Sequence, residues 1–244
     1  MNIQTTSKRV NVLIPMAGGG RRFMDAGYTL PKPLLPLGNK TMIEAVVANL
    51  STLDFNFIFV INNEQLEPDK VRNLLPMATI VEVAGIPQGP AMSCMCASTF
   101  INNDDRLIIT NCDQIIEDFN YPQLESFCSF HGVDGVVGAF HSASPKNSYV
   151  KVNDDNEVIE IREKQVISSI ATNGLHYWTR GKYFVESVGQ MVGNRDMVNN
   201  EYYVAPSYNY MIRRGMKVMP FWYNMHFPIG TPMDYENYKR IRNL

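Results

Sequence analysis

Several features that would place the chain in a specialised class are missing from its 244 residues. The longest unbroken apolar run, residues 57–61, is far shorter than the roughly 20 residues that a membrane-spanning helix needs. The N-terminal stretch MNIQTTSKRV lacks the apolar region of a secretory signal. Four cysteines without a second pair at metal-ligand spacing do not make a disulfide framework or a zinc site. These absences predict reduced thiols, a cytoplasmic location and no membrane insertion.

An excess of charge of either sign is also absent. The chain has 22 basic and 24 acidic residues, so no overall field attracts nucleic acid, and we expect no nucleic-acid partner. Apolar residues make up 45% of the sequence, which is typical of a globular protein, and no repeat or linker interrupts it. We therefore predict one domain over residues 1–244, with residues 1–9 as a flexible segment.

What the sequence does contain is an alternation of short apolar runs and amphipathic stretches. In the first half it predicts strands over residues 10–16, 57–62, 79–84 and 106–111, and helices over 41–53, 65–75 and 90–100. In the second half it predicts strands over 133–140, 149–152, 158–162, 175–178 and 217–222, and helices over 183–191, 203–214 and 234–242. Four tyrosines are expected to pack on the sheet as core: Tyr202, Tyr203, Tyr208 and Tyr210. The alternation indicates an α/β fold with a mostly parallel central sheet.

The loop after the first predicted strand has the composition of a phosphate-binding loop. It consists of Ala17, Gly18, Gly19, Gly20, Arg21 and Arg22. Ligands of open α/β sheets bind beyond the carboxyl ends of the strands, and glycines allow backbone N–H groups to approach an anion. Two arginines add positive charge there, and the prolines on both sides of Lys32 stiffen its loop. A polyphosphate is the predicted ligand.

Two better-known glycine signatures are missing. The chain has no G-x-x-x-x-G-K-[ST] motif, which excludes a P-loop. Phe23 stands where a dinucleotide-binding turn has its third small residue, and the next strand ends in the amides Asn62 and Asn63. A hydride-transferring enzyme is therefore disfavoured.

Asp113 is the best candidate for a metal ligand. It follows the fourth predicted strand in the sequence Asn111-Cys112-Asp113-Gln114, so its carboxylate is expected at the same sheet edge as the glycine loop. Mg²⁺ prefers one or two carboxylates together with phosphate oxygens and water. We therefore expect Mg²⁺ as the cofactor, with Asp113 as its ligand.

These residues carry a resemblance to a known family. Residues 13–37, LIPMAGGGRRFMDAGYTLPKPLLPL, resemble the signature A-G-x-G-x-R-[FL] followed by P-K-P-[LM] of the sugar-1-phosphate nucleotidyltransferases. Further matches follow in the family's order: residues 88–91 (QGPA), 111–114 (NCDQ), 163–164 (EK), 173–174 (NG) and 230–232 (GTP). The resemblance implies a single Rossmann-like domain of the GT-A type without a C-terminal β-helix. It is closest to members encoded with capsule and surface-polysaccharide genes.

The resemblance also implies a reaction and a role for each matched residue. An NTP and a sugar 1-phosphate, or a similar phosphorylated acceptor, would give a nucleotide sugar and pyrophosphate. The catalytic residues would be Arg22, Lys32 and Asp113, with Asp113 holding Mg²⁺. The nucleotide would contact Ala17, Gly18, Gly19, Gly20, Arg21, Gln88, Gly89 and Asn111. The acceptor would contact Glu163, Lys164, Asn173 and Gly174.

Two departures from the family pattern leave parts of this assignment open. Pro228 stands where relatives commonly have a second metal-binding aspartate, so either Asp234 or His226 substitutes, or Asp113 holds the metal without it, or activity is reduced. Asn147 and Ser148 stand where many relatives have Tyr-Gly beside the sugar, which leaves the identity of the acceptor open.

Two other functions remain as alternatives. A glycosyltransferase of the GT-A type usually carries a D-x-D motif, whereas residues 111–113 offer one carboxylate. A non-catalytic nucleotide-binding regulator is kept open by Pro228. Within the preferred function, the family slightly favours a pyrimidine nucleotide, and its members often self-associate.

Overall fold

A computed structural model describes residues 9–50 and 55–244 of the chain. The strands among these residues are β1 Val10–Met16, β2 Pro36–Leu37, β3 Lys40–Thr41, β4 Asn56–Asn62, β5 Thr79–Val83, β6 Arg106–Ile109, β7 Gln114–Ile116, β8 Gly135–His141, β9 Ser148–Val152, β10 Val158–Glu163, β11 Ile170–Trp178, β12 Val218–Trp222 and β13 His226–Pro228. The α-helices are α1 Arg21–Asp25, α2 Met42–Leu50, α3 Pro68–Leu74, α4 Pro90–Met95, α5 Ser98–Ile101, α6 Tyr121–His131, α7 Gly181–Gly193, α8 Tyr208–Arg213 and α9 Pro232–Arg242. Lys32–Leu34 and Ala205–Ser207 form 3₁₀ turns.

The central sheet has the strand order β10-β9-β11-β6-β1-β4-β5, with β8 beside β11 and β12 beside β8. Strands β6, β1, β4 and β5 are parallel, so their carboxyl ends meet at one edge. Strand β11 pairs antiparallel with β6, β8 and β9, while β12 is parallel to β8. The predicted α/β domain with a mostly parallel central sheet is confirmed, and the antiparallel strands lie on the side away from β5.

The sheet is covered on both faces because its strands are apolar on both faces. In β1, Val12 and Ile14 belong to one core cluster, whereas Leu13 between them belongs to the other. Successive side chains of a strand point to opposite faces, so a strand buried on both sides is a near-continuous apolar run. Helices α2, α6 and α9 pack on the first face, and α4, α7 and α8 on the second.

The remaining differences from the sequence prediction are local. Helix α6 was not predicted, although Asn120 caps its start by accepting from the Gln123 N–H and Gly132 ends it in the left-handed conformation. The helix predicted over residues 90–100 is divided into α4 and α5, and the one predicted from residue 203 begins at Tyr208 after a 3₁₀ turn.

Parts of two predictions lie outside the described residues: positions 51–53 of the helix predicted over 41–53, and residues 1–8 of the predicted flexible segment. None of the helices in the described ranges combines the length and the apolar character that crossing a bilayer requires.

A histidine is buried in the second core cluster. His176 on β11 is 5% exposed and lies beside the stacked rings of Trp178 and Tyr208, and its Nδ1 has no hydrogen-bond partner among the described residues. Burial lowers the pKa of His176 to about 3. The imidazole is therefore neutral in the folded protein at neutral pH.

This burial predicts a loss of stability in acid. Between pH 6.5 and about 3 the unfolded chain binds a proton at His176 that the folded chain does not, so the free energy of unfolding falls as the pH is lowered through that window. The contribution of one such group is at most about 1.4 kcal/mol per pH unit. The free energy of unfolding, measured by urea denaturation between pH 7 and pH 4, should depend less steeply on pH in His176→Asn than in the wild type. The exposed His141→Asn serves as the control, and an unchanged slope in His176→Asn would contradict the assignment.

Candidate functional site

The glycine loop presents two arginines at the carboxyl end of β1. Gly20 has a φ of +58°, a left-handed conformation that glycine adopts easily, and Arg21 and Arg22 follow it in the first turn of α1. Phe23 fixes this short helix, since its buried ring packs edge-on against Tyr28 at 5.2 Å. Both arginines are exposed, and no acidic side chain in the described ranges pairs with either of them. Positive charge is therefore left uncompensated at this loop.

Lys32 is held beside Asp113 at the same edge of the sheet. The 3₁₀ turn Lys32–Leu34 starts after Pro31, and Lys32 Nζ lies 2.7 Å from Asp113 Oδ2. Burial alone would lower the pKa of Lys32, but the electrostatic interactions with Cys112 and with the Asp113 carboxylate raise it well above its usual range. The positive charge of Arg22 opposes this rise in the pKa of Lys32 but does not cancel it. Lys32 therefore remains a cation at any physiological pH.

Asp113 is supported from the C-terminal part of the chain. Its backbone carbonyl accepts a hydrogen bond from the Ile229 N–H at 2.8 Å. A Cβ at Gly230 would lie 2.5 Å from Asp113 Oδ2, so only glycine leaves room for the carboxylate. The pairing of β13 with β7 sets Pro228 opposite Gln114. The C-terminal segment thus fixes the position of the carboxylate without adding a second one.

The donor set around Asp113 is too small for a metal held by the protein alone. No group of three His, Cys, Asp or Glu side chains suited to a metal ion occurs within residues 9–50 and 55–244. Asp234 is engaged at the start of α9, where its Oδ2 accepts from Thr231 Oγ1 at 2.6 Å. Burial lowers the pKa of His226 to about 4, although Asp118 and Asp113 raise it in part. The residues present therefore fit Mg²⁺ only where phosphate oxygens and water supply most of its ligands.

Gly174 packs against Asn111, which precedes Asp113 by two residues. Gly174 has a φ of +84°, and a Cβ there would lie 2.3 Å from Asn111 Nδ2. Asn173 is 4% exposed; its Oδ1 accepts from the Leu175 N–H, and its Nδ2 has no hydrogen-bond partner in the described part of the chain. The Nδ2 has almost no accessible surface, so a contact between the Asn173 amide and a ligand stays a prediction.

Gln88 and Gly89 lie where α4 begins, but the side chain of Gln88 has a structural partner. Its Nε2 donates to the carbonyl of Asn200 at 3.1 Å. Gly89 has a φ of +95°, and a Cβ there would lie 2.6 Å from the carbonyl oxygen of Tyr202. The role of Gln88 in reading the base remains a prediction, because its amide donor is directed at the chain itself.

Glu163 and Lys164 end β10 among polar partners. Glu163 is 6% exposed and accepts a hydrogen bond from Ser148 Oγ, and burial raises the pKa of its carboxyl. Lys164 has a φ of +55°, which is unusual for a residue with a side chain, and its Nζ donates to the hydroxyl of Tyr203. Tyr203 in turn donates to Glu201.

Tyr203 is only half-buried, whereas the sequence predicted it in the core together with Tyr202, Tyr208 and Tyr210. The structure buries those three and leaves Tyr203 half-exposed beside Lys164. Nothing in the neighbouring sequence indicates that Tyr203 contacts Lys164, because the two residues are 39 positions apart.

The sequence profile of the nucleotidyl transferase family matches residues 12–201, which include the glycine loop, Lys32, Asp113 and Lys164. The chain belongs to the nucleotidyl transferase family. This family member is 27% identical over 154 residues to a mannose-1-phosphate guanyltransferase of Aspergillus fumigatus, a match covering 60% of this chain and 42% of that protein. It is 24% identical over 156 residues to the bifunctional protein GlmU of Methanocaldococcus jannaschii, covering 64% and 36%. The match thus spans well under half the length of these relatives.

Solved structures share the fold of this family member over nearly its whole length. A nucleoside-diphosphate-sugar pyrophosphorylase from Vibrio cholerae superposes with a TM-score of 0.78 at 23% identity, covering 94% of this chain and 99% of the other. A UDP-glucose pyrophosphorylase solved with UDP-glucose gives a TM-score of 0.77 at 18% identity, covering 96% and 98%. At these identities the likeness shows the fold.

The contact between Gly230 and Asp113 predicts a sensitive position without a functional group of its own. In Gly230→Ala the new methyl group would displace the Asp113 carboxylate, and a misplacement of about 1 Å at a reacting site can cost about 10²-fold in rate. Gly189→Ala in α7 is the matched control, because a Cβ there meets nothing within 4 Å. Both variants should keep the wild-type circular dichroism spectrum. Pyrophosphate release at the wild-type rate by Gly230→Ala would contradict this account of Asp113.

Proposed function

We propose that this member of the nucleotidyl transferase family joins an NTP to a sugar 1-phosphate, or a similar phosphorylated acceptor, and releases pyrophosphate. The observation that carries the proposal is the charge balance at the carboxyl end of β1. Lys32 and Asp113 neutralise each other at 2.7 Å, so the unpaired guanidinium groups of Arg21 and Arg22 leave a net positive charge beside a glycine loop. Such a loop suits a triphosphate.

On the nucleotide side, the chain's own residues bind and neutralise phosphate. The backbone N–H groups of residues 17–21 would approach the triphosphate, and Arg22 would bind the β- and γ-phosphates that leave as pyrophosphate. Lys32, whose pKa is influenced by the charge of Arg22, would contact the α-phosphate and the sugar phosphate. Bound Mg²⁺, held by Asp113 together with phosphate oxygens and water, would supply further charge neutralisation.

On the acceptor side, Lys164 would bind the acceptor phosphate and Glu163 would accept hydrogen bonds from its hydroxyl groups. Asn173 and Gly174 would line the acceptor pocket, as the family resemblance implies. A phosphate oxygen of the acceptor then forms a bond to the α-phosphorus in line, while the bond from that phosphorus to the bridging oxygen of pyrophosphate breaks. The nucleophile is already an anion, so positioning and charge neutralisation suffice and no general base is needed.

The finer assignments rest on the family resemblance. We propose Mg²⁺ as the metal, a pyrimidine nucleotide as the donor, a cytoplasmic location and a role in capsule or surface-polysaccharide synthesis, with self-association of the chain. The names of the similar proteins point to different bases: one relative is a guanyltransferase, and one fold neighbour was solved with UDP-glucose. A panel of nucleotides therefore has to include purines.

A non-catalytic nucleotide-binding regulator is the second candidate. It is favoured by the single carboxylate at the site, which is already paired with Lys32, and by Pro228 opposite Gln114. Binding of nucleotide would then occur without turnover. The glycosyltransferase alternative is weaker, because its chemistry gives no reason for Arg22 and Lys32 to meet at a glycine loop.

Pyrophosphate release tests the proposed function. The purified chain is assayed with Mg²⁺, each of CTP, UTP, dTTP, ATP and GTP, and a set of sugar 1-phosphates that starts with glucose 1-phosphate and mannose 1-phosphate. We expect release with at least one pair, and a loss of about 10²–10³-fold in Arg22→Ala and Lys32→Ala, because each removes a group that stabilises charge.

The control for these variants is Arg72→Ala, an arginine whose partners are Asp69 and Glu82 on the surface. It should retain full activity, and Arg22→Ala and Arg72→Ala should melt within a few degrees of the wild type. Lys32→Ala leaves Asp113 without its partner, so it should melt lower and is assayed well below its melting temperature. Near-normal turnover in Arg22→Ala or Lys32→Ala would refute the catalytic assignment. Tight nucleotide binding with no turnover for any pair would favour the regulator.

A further inference from the structure

A tight turn at residues 198–201 lies between the two halves of the site. Val198 and Glu201 exchange two backbone hydrogen bonds, each 3.0 Å long. Asn199 and Asn200 between them have φ values of +49° and +62°, the left-handed conformation that two-residue hairpin turns require and that asparagine tolerates better than most residues. Backbone hydrogen bonds between Val198 and Glu201 therefore fix the conformation of the turn.

On one side, this turn is fixed to the loop that begins α4. Gln88 Nε2 donates to the carbonyl of Asn200 at 3.1 Å, and the carbonyl of Gln88 accepts from the Tyr202 N–H at 3.0 Å. The carbonyl of Tyr202 accepts in turn from the Ala91 N–H at 2.9 Å. The close approach of Gly89 to Tyr202 leaves no space for a side chain. Residues 200–202 are thus held against the predicted base-reading loop.

On the other side, the residues that follow the turn hold the side chain of Lys164. The Tyr203 hydroxyl accepts from Lys164 Nζ and donates to the Glu201 carboxylate, so it lies between the ammonium and a balancing negative charge. The same ammonium lies 4.4 Å from the centroid of the Tyr203 ring, within range of a cation–π contact. The hydroxyl is therefore the contact that holds the Lys164 ammonium, and the short distance to the ring follows from it.

The backbone of Lys164 is constrained as well. Its φ of +55° is disfavoured for a residue with a Cβ, and its N–H donates to the carbonyl of Asn147 at 3.0 Å. Disfavoured backbone conformations persist where the surroundings hold them in place and occur often at functional sites. Backbone and side chain of Lys164 are thus both held, although a lysine side chain on a surface would otherwise sample many rotamers.

We propose that Tyr203 is a positioning residue, which together with Glu201 holds the Lys164 ammonium in place for the phosphate of the acceptor. The inference rests on the proposed function, in which Lys164 binds that phosphate. Holding the ammonium in advance reduces the ordering that acceptor binding must otherwise impose. Because residues 198–202 also carry the contacts to Gln88, a nucleotide that moves the Gln88 loop would shift the same tyrosine.

A double-mutant cycle tests the proposal. The variants are Tyr203→Phe, Lys164→Ala and the double variant, assayed with the NTP and the sugar 1-phosphate that release pyrophosphate fastest in the panel above. Tyr203→Phe keeps the ring and removes the hydroxyl, and loss of one hydrogen bond of this kind should raise the KM for the acceptor about tenfold. The KM for the NTP should change less than twofold. In the Lys164→Ala background the same substitution should have no further effect.

The control is Tyr210→Phe, whose hydroxyl donates to Asp196 at 3.1 Å and does not contact Lys164. It should leave the KM for the acceptor unchanged. Glu201→Gln probes the same arrangement from an exposed residue and should raise the acceptor KM in the same direction, again only while Lys164 is present. If Tyr203→Phe folds poorly, Glu201→Gln tests the positioning of Lys164 in its place.

The outcomes separate the inference from the function on which it rests. A normal acceptor KM in Lys164→Ala would contradict the assigned role of Lys164, and with it the positioning. A raised KM in Lys164→Ala, combined with an additive effect of Tyr203→Phe or of Glu201→Gln, would contradict the positioning alone. Tyr203→Phe and Glu201→Gln with wild-type KM values for the acceptor would likewise overturn it.

Discussion

The ion pair between Lys32 and Asp113 holds together two segments of the site that lie far apart in the sequence. Lys32 follows β1 and Asp113 follows β6, and these strands are parallel neighbours, so their carboxyl ends bring the two side chains to 2.7 Å. Only about a fifth to a quarter of each side chain is exposed, at 20% and 25%. Removing either charge would leave the other partly buried without a partner. The pair is neutral as a unit, and the excess positive charge therefore belongs to Arg21 and Arg22.

The acceptor side of the site follows a different principle, in which cations are balanced by nearby carboxylates. Lys164 has Glu163 beside it in sequence and Glu201 across the Tyr203 hydroxyl. Burial raises the pKa of Glu163, and Glu201 adds to the effect. In the proposed function, the uncompensated positive charge of Arg21 and Arg22 would meet the triphosphate, while Lys164 and its neighbouring carboxylates would bind the phosphate and the hydroxyl groups of the acceptor.

The local parts of this site could be predicted from the sequence because their chemistry lies in consecutive residues. The glycine loop, the arginines and Asp113 each follow an apolar strand directly, and parallel strands deliver the ends of such segments to one edge. The parallel strands β1, β4, β5 and β6 were predicted nearly residue for residue for the same reason.

The long-range parts could not be read from local patterns. Two contacts depend on the turn in which Asn199 and Asn200 adopt the left-handed conformation. One is the hydrogen bond from Lys164 to Tyr203, and the other is the hydrogen bond from the Gln88 amide to the Asn200 carbonyl. The arrangement of β8, β9, β10 and β11 depends on antiparallel pairings, including that of β11 with β8, whose register shifts between Thr172 and His176. Helix α6 carries caps at both ends, but its many polar residues obscured the helical period.

The most direct test of the account is a crystal structure of the chain with Mg²⁺ and a non-hydrolysable analogue of the NTP that supports turnover. The account predicts the triphosphate against residues 17–22, with Arg22 on its β- and γ-phosphates and with Lys32 Nζ turned from Asp113 to a phosphate oxygen. A triphosphate bound elsewhere on the molecule, or one bound there while Lys32 stays on Asp113 and Arg22 makes no phosphate contact, would contradict it.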